Sequence, residues 1–356
     1  KEIAAEIIER GKKRSSTLLI AAALTGQLLA GGATPRFPGI GIAAVHGADA
    51  GMSKIRFAQS SRTASSWPLY VAEQKRIFEK NGIQVESVVI RGATNVLRAV
   101  VNETAPVGRI NPDYVIGAIE KGAKIKVVAA NMDKVPYDIY ARPEIKTGAD
   151  LKGKTLGVSS LMGGTTLMMQ EVLKKAYNLK ENEYKLLVVG ASSERYPALK
   201  NGSVQASFIV PPFTFRAAKD GFRKLANFHE QLGPILFTTD FVHAGYLRSN
   251  RAEVVRYLKS VIEATRWLYD PKNKEQAVAV HMKALKSDRE SAKEDYKYLV
   301  ENLQSFARDG LVSTVSFDKA MELRAKEGNQ QGKKVLGIAD YVDSSFIEEA
   351  LKSLGK

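Results

Sequence analysis

Leu156–Tyr177, LGVSSLMGGTTLMMQEVLKKAY, is the stretch whose reading decides the fold. Thr155–Ser159 reads as a short strand, and Gly163-Gly164 as a loop whose backbone can approach a guest closely. The remainder reads as an amphipathic helix. Leu167, Met168, Val172 and Leu173, with Ala176 and Tyr177, recur at the three-to-four spacing of one buried face. Thr165 and Thr166 stand where an N-cap would. A helix start offers free N–H donors and a partial positive charge to an anion or a carbonyl. One such joint is explained equally well as an ordinary capped helix, so the rest of the chain must give it meaning.

Joints of the same kind recur. Lys54–Gln59 (KIRFAQ) alternates as a strand and runs through the polar loop Ser60–Ser66 to Trp67-Pro68, which opens a helix Leu69–Lys80 that stops at Asn81-Gly82. Ile83–Ile90 (IQVESVVI) is a strand, and Arg91–Asn95 leads from it into a helix Val96–Asn102. Lys124–Ala130 and Asp138–Ala141 are further strands before the opening stretch; Tyr184–Val189 and Val204–Val210 are strands after it, with a helix Ser192–Leu199 between them. From Ser249 the pattern is nearly all helical: Arg251–Tyr269, Lys274–Lys283, Arg289–Ala307 and Phe317–Ala325. This alternation predicts an α/β chain with two open units of mostly parallel sheet flanked by helices, followed by a helical C-terminal tail. In such sheets ligands sit at the carboxyl ends of strands. The loops that qualify are Gln59–Trp67, Arg91–Asn95, Ser159–Thr166, Val189–Arg195 and Val210–Phe213, and together they suggest one shared cleft.

Composition narrows the function. The chain of 356 residues is 44% apolar and 26% charged, ordinary for a soluble globular protein, and has the length for two domains. It contains no cysteine, which excludes disulfides, thiolate metal sites and thiol nucleophiles. The formal charge of +15 is spread among interleaved acids, as in Lys283–Lys297, so a solvated basic surface is expected rather than a nucleic-acid face. His46, His229, His243 and His281 show no metal or protease spacing, and neither a nucleophile elbow nor a phosphate loop occurs. No metal and no cofactor is expected. Residues 1–50 read as a leader: Lys12-Lys13-Arg14, then the apolar Thr17–Ala30, then small residues ending in Ala48-Asp49-Ala50, an export-type cleavage site. The apolar run is shorter than the ~20 residues that span a bilayer.

The ordered set of motifs resembles the periplasmic solute-binding proteins of ABC importers, in the branch that takes sulfonates, taurine, nitrate and thiamine-pyrimidine precursors. The resemblance is carried by Pro68–Ala72 with Ile77–Gly82, Arg142–Ile145, Asp150–Lys154 with Gly157-Val158, Ala198–Gly202, Pro211-Pro212-Phe213, Glu253–Val255 and Tyr341–Phe346, and covers nearly all of residues 54–350. It implies the two-lobed, type II periplasmic binding protein fold with a two-strand hinge. Residues 54–141 would open lobe one, 142–241 would form lobe two, and 242–356 would return to lobe one; Ile139–Ala141 and Val242–Gly245 would be the hinge strands. It also implies a monomer that traps a small solute by closing like a Venus flytrap and presents it to a membrane permease. No catalysis and no nucleic-acid partner would be involved. The chain departs from the family at Val107–Asp113 (VGRINPD), where a small-residue stretch is usual.

The residues expected to bind solute are Ser61, Trp67, Thr94, Asn95, Arg109 and Asn131 from lobe one, with Gly163, Gly164, Thr165, Thr166, Ser192 and Phe213 from lobe two. Arg109 could hold an anion or simply pair with Asp113 or another acid. Arg195 could reach the cleft, with a surface salt bridge the blander expectation. The rival functions are an enzyme of the same fold, similar to the thiamine-pyrimidine synthases, and a ligand-sensing domain. The missing cysteines count against the first, because those enzymes need a cysteine-rich segment.

Overall fold

The computed structural model describes residues 52–161, 163–325 and 337–355. The expected leader, His46 included, lies outside the described residues. Two five-stranded sheets organise the rest. The first runs β2 (Ile83–Val89), β1 (Ser53–Gln59), β3 (Val107–Ile110), β10 (Thr238–His243), β4 (Ile125–Met132). The second runs β7 (Lys185–Val188), β6 (Thr155–Val158), β8 (Ala206–Ile209), β5 (Asp138–Ala141), β9 (Arg223–Asn227).

The sheets share one plan. β1 pairs in parallel with β2 and β3, and β6 pairs in parallel with β7 and β8. β10 runs antiparallel to β3 and β4, and β5 antiparallel to β8 and β9. The sheets are therefore mixed rather than mostly parallel. In each, the antiparallel strand is the one that arrives from the other lobe.

The crossings themselves differ from expectation. Ile139–Ala141 lies wholly in the second sheet and Val242 in the first, so neither spans the gap. The chain crosses at 133–137 and 228–237 instead. The two crossings are tied to each other, Phe237 N–H donating to Met132 C=O (2.9 Å), Ile235 to Asp133 (3.0 Å) and Phe228 to Tyr137 (2.9 Å). The Tyr137 ring sits between Phe208, Phe228 and Phe237, with centroids 4.9, 5.5 and 5.2 Å away.

Helices cover both sheets, as parallel strands buried on both faces require. Arg251–Tyr269 turns Val254, Leu258, Ile262 and Leu268 inward at helical spacing and packs on the helices Trp67–Gln74 and Ser345–Lys352. The expected helix Leu69–Lys80 is two helices, Trp67–Gln74 and Ile77–Lys80, because Arg76 adopts a left-handed φ of 55°. Arg289–Tyr296 is regular α-helix and continues as the π-helical Lys297–Asn302. The helix of the opening stretch is Gly164–Tyr177, burying Met168, Met169, Val172 and Leu173; Ala176 faces solvent.

Candidate functional site

A cavity of about 470 Å³ lies where the carboxyl ends of β1, β2, β3, β6, β7 and β8 converge. Each of the five loops singled out from sequence contributes to its wall: Gln59–Thr63 with Ser65 and Ser66, Arg91–Ala93, Ser159 with Thr165, Gly190–Arg195, and Val210. Its size suits an organic molecule bound in a largely preformed site. Serine and threonine hydroxyls dominate the polar part of the wall; Val89, Ile110, Tyr137 and Phe237 are apolar or aromatic.

The loop after β1 is held from behind. Gln59 donates to Ser87 Oγ (2.8 Å) and accepts from Ser66 Oγ (2.7 Å). Asn131 is buried beneath the loop and donates to Ser65 C=O (3.0 Å) and Thr238 Oγ1 (2.9 Å). Asn131 therefore supports the wall without lining the cavity.

Two buried guanidinium groups border the cavity, and they differ in kind. Arg109 pairs side-on with Asp240, and Tyr257 donates to the same carboxylate (2.8 Å). Burial works against the Arg109 charge, but Asp240 more than offsets it and raises the pKa. This pair is electrically closed. Arg195 is 1% exposed and has no carboxylate partner among the described residues. It donates to Phe208 C=O (2.8 Å), Gly190 C=O and Ser192 Oγ (3.1 Å), and its guanidinium lies 4.1 Å from the Phe208 ring centroid. Burial pulls its pKa below the usual arginine value. Arginine stays charged at neutral pH nonetheless, so Arg195 gives the wall a positive charge that Glu194 supports through space without a direct ion pair.

The start of the helix Gly164–Tyr177 is already occupied. Gly164 N–H donates to Asp113 Oδ2 (2.9 Å) from the first lobe, and Tyr114 Oη lies 3.4 Å from Ser160 Oγ. A Cβ on Gly164 would stand 3.0 Å from Asp113 Cγ, and one on Gly163 2.3 Å from Ser160 Oγ. The close approach that the glycine pair permits is to the chain itself. Burial pushes the Asp113 carboxyl up, opposed by the Gly164 N–H.

The structure brings Ser61, Arg109, Thr165 and Ser192 of the expected residues to the cavity wall. Thr165 Oγ1 lies 3.0 Å from Ser159 Oγ, while Thr166 turns inward and donates to Ser160 C=O (2.6 Å). Trp67 is wholly buried elsewhere, donating to Ala277 C=O (3.2 Å) against His281 and Tyr296. Thr94 and Asn95 are exposed, and Asn95 donates to Arg91 C=O (2.9 Å) one turn back. Phe213 packs on Tyr196, with Arg216 over its ring. Sequence reasoning missed Tyr114, Tyr137, Phe237 and Thr238 of the wall, and gave Arg195 too little weight.

A candidate binding protein of Bacillus subtilis (strain 168), YtlA, is 22% identical over 61% of this chain and 66% of its own length, so the match spans just under two thirds of that relative. A Brucella abortus (strain 2308) counterpart, BAB2_1146, is 26% identical over 68% of this chain and 76% of its own. Among solved structures, the ligand-binding component of an ABC-type import system from Staphylococcus aureus superposes with a TM-score of 0.70 at 14% identity, over 84% of this chain and 99% of that one. The periplasmic aliphatic sulphonate-binding protein SsuA from Escherichia coli gives 0.63 at 18% identity, over 82% and 92%. The desulfurization enzyme DSZB shares the architecture too, at 0.63 and 10% identity over 85% and 99%. These likenesses establish the two-lobed periplasmic binding protein fold. The family model described as NMT1/THI5 like matches residues 63–274, well over half of the chain, and the protein belongs to that family.

Proposed function

We propose that this protein is the periplasmic solute-binding component of an ABC importer, and that it captures a small anionic or carbonyl-bearing organic solute between its lobes. The observation that carries this reading is Arg195, a buried cation in the cavity wall that makes no salt bridge to a carboxylate among the described residues, Glu194 acting on it only through space. A buried charge of this kind is costly unless something pairs with it, and a bound anion supplies the missing partner. Hydroxyls of Ser61, Thr165 and Ser192 stand on the same wall and would accompany the anionic head. A sulfonate, a carboxylate or a nitrate-like ion would pair with the charge, and a heteroaromatic precursor would offer it a ring nitrogen or carbonyl as acceptor. Solute contacts from both lobes would favour the closed arrangement over the open one, and the permease would read that closed shape.

Binding without turnover is the better supported mode. Neither histidine nor lysine lines the cavity among the described residues, so the groups that a self-consuming pyrimidine synthase or a Schiff-base enzyme would use are not at hand. No described helix is long and apolar enough to cross a membrane.

A thermal-shift panel of sulfonates, carboxylates, nitrate and pyrimidines tests the proposal. A true solute at ~1,000 times its dissociation constant adds about 4 kcal/mol and raises the melting temperature by several degrees. Arg195→Met should weaken an anionic solute at least ~10-fold, lowering that gain to about 2.7 kcal/mol or less. A shift of unchanged size would remove the anion from the reading.

A further inference from the structure

Asp113 and the lobe-two helix start are joined by a hydrogen bond. Asp113 stands in the first turn of Pro112–Glu120, directly after β3 of the first sheet, and Gly164 opens Gly164–Tyr177, directly after β6 of the second. The two meet across the gap between the lobes, Gly164 N–H donating to Asp113 Oδ2 at 2.9 Å. Helix N-termini favour negative charge, so the carboxylate satisfies both an unpaired donor and the helix dipole. Arg324 steadies the same turn by donating to Asp113 C=O (3.3 Å) and to Glu120 (2.6 Å). Tyr114 beside Asp113, and Thr165 beside Gly164, line the cavity, so this contact closes one end of it. At another part of the wall Arg91 of the first lobe and Glu194 of the second approach to 3.7 Å. That pair is largely exposed and contributes little.

We infer that Asp113 is an inter-lobe clasp: its carboxylate caps the helix of the opposite lobe in the closed arrangement and so sets the closing equilibrium, and with it the affinity for solute. The inference rests on the solute-trap reading above. An open arrangement leaves the Gly164 N–H and the Asp113 carboxylate to water, so the pair biases the equilibrium toward closure before solute arrives. The same occupancy keeps an anionic solute away from the helix start and leaves Arg195 as its partner. Asp113 is thus a positioning residue that need not touch the solute.

The absence of cysteine gives a direct test. Gln84→Cys on β2 and Lys185→Cys on β7 are exposed positions on the edge strands of the two sheets and can carry spin labels in the full chain. Pulsed dipolar spectroscopy without solute then reads the lobe separation, independently of whether any panel compound binds. Asp113→Ala should move the distance distribution outward, changing the open-to-closed ratio roughly tenfold. Asp113→Asn can still accept from the Gly164 N–H but loses the charge that favours the helix start, and should move the distribution outward too, by less. Circular dichroism certifies the fold of each variant. Distributions unchanged in both variants, or moved in only one, overturn the clasp. A moved distribution with no solute shift anywhere in the panel would leave the clasp standing and remove the solute class.

Discussion

Arg109 and Asp240 meet edge to edge across neighbouring strands, Nε to Oδ1 at 2.5 Å and Nη2 to Oδ2 at 2.9 Å, with both side chains at most 3% exposed. β3 and β10 place them opposite each other, Asp240 being the registered partner of Arg109 in the antiparallel ladder. Because β10 returns from the second lobe, this pair fixes how the returning strand seats in the first sheet. Tyr257 completes the carboxylate, and burial together with Asp240 pushes its phenol well up.

Breaking that pair from one side should be expensive. Asp240→Ala leaves a buried guanidinium uncompensated and should lower stability by ~3–5 kcal/mol. Replacing both residues, Arg109→Met with Asp240→Leu, should recover most of the loss, since a buried ion pair is often little better than an apolar one. Urea titration of Arg109→Met, Asp240→Leu and the double closes the cycle. A loss below 1 kcal/mol for Asp240→Ala would show that the pair is not structural.

Arg195 should behave in the opposite sense. It makes no salt bridge among the described residues, and its flat guanidinium already lies over Phe208, so Arg195→Met retains much of the packing. We expect a stability change within ~2 kcal/mol, with anion affinity reduced at least ~10-fold. Arg195→Lys keeps the charge but cannot reproduce the fork to Phe208, Gly190 and Ser192, and should fall between. Calorimetric titration with the panel compound that binds wild type measures both.

Trp67 should move stability and leave binding alone. Its indole N–H reaches Ala277, its ring packs 4.5 Å from His281 and 5.9 Å from Tyr296, and it does not line the cavity. Trp67→Phe should cost ~1–3 kcal/mol through the lost hydrogen bond and the volume left behind. Solute affinity should stay within twofold, roughly 0.4 kcal/mol. A tenfold loss of affinity at unchanged stability would return Trp67 to the site.

These contrasts show which parts of the site the sequence carries. The strand-to-helix loops were legible because their signals are local: alternation, a glycine or hydroxyl at the strand end, then helical spacing. All five reach one cavity. What was not legible depends on partners far along the chain. Trp67 beside a polar loop reads as a cleft wall until Ala277, 210 residues later, covers it. Arg109 is equally suited to a ligand or an acid until β10 brings Asp240 opposite, 131 residues away. Arg195 after two serines reads as surface, because no local pattern reveals that its neighbours are carbonyls and aromatic rings. The Gly163-Gly164 pair reads as a place where a guest comes close, and only the fold shows that what approaches is Asp113 of the chain itself.

The pair His281 and Asp295 supplies a prediction on pH. Nε2 of His281 lies 2.6 Å from Asp295 Oδ2 with both side chains fully buried, and His281 Nδ1 faces Ser287 Oγ at 2.9 Å. Burial pushes the Asp295 carboxyl up to about 6, opposed by His281, while Glu294 pushes it further up and Arg216 draws it down more weakly. A carboxyl whose pKa is higher folded than unfolded binds its proton more tightly in the native state. It therefore lowers stability as pH rises from about 4 to 6, and the full cost is present at pH 7. Asp295→Asn keeps an acceptor for the imidazole but carries no titrating group. Relative to that variant, wild type should gain roughly 1–3 kcal/mol between pH 7 and pH 4.5. The carboxyls of Glu73, Asp113, Asp133 and Asp138 are also raised by burial, and they contribute equally to both proteins. The difference between the two melting curves across that range isolates the pair. A constant difference would mean that Asp295 stays ionised throughout.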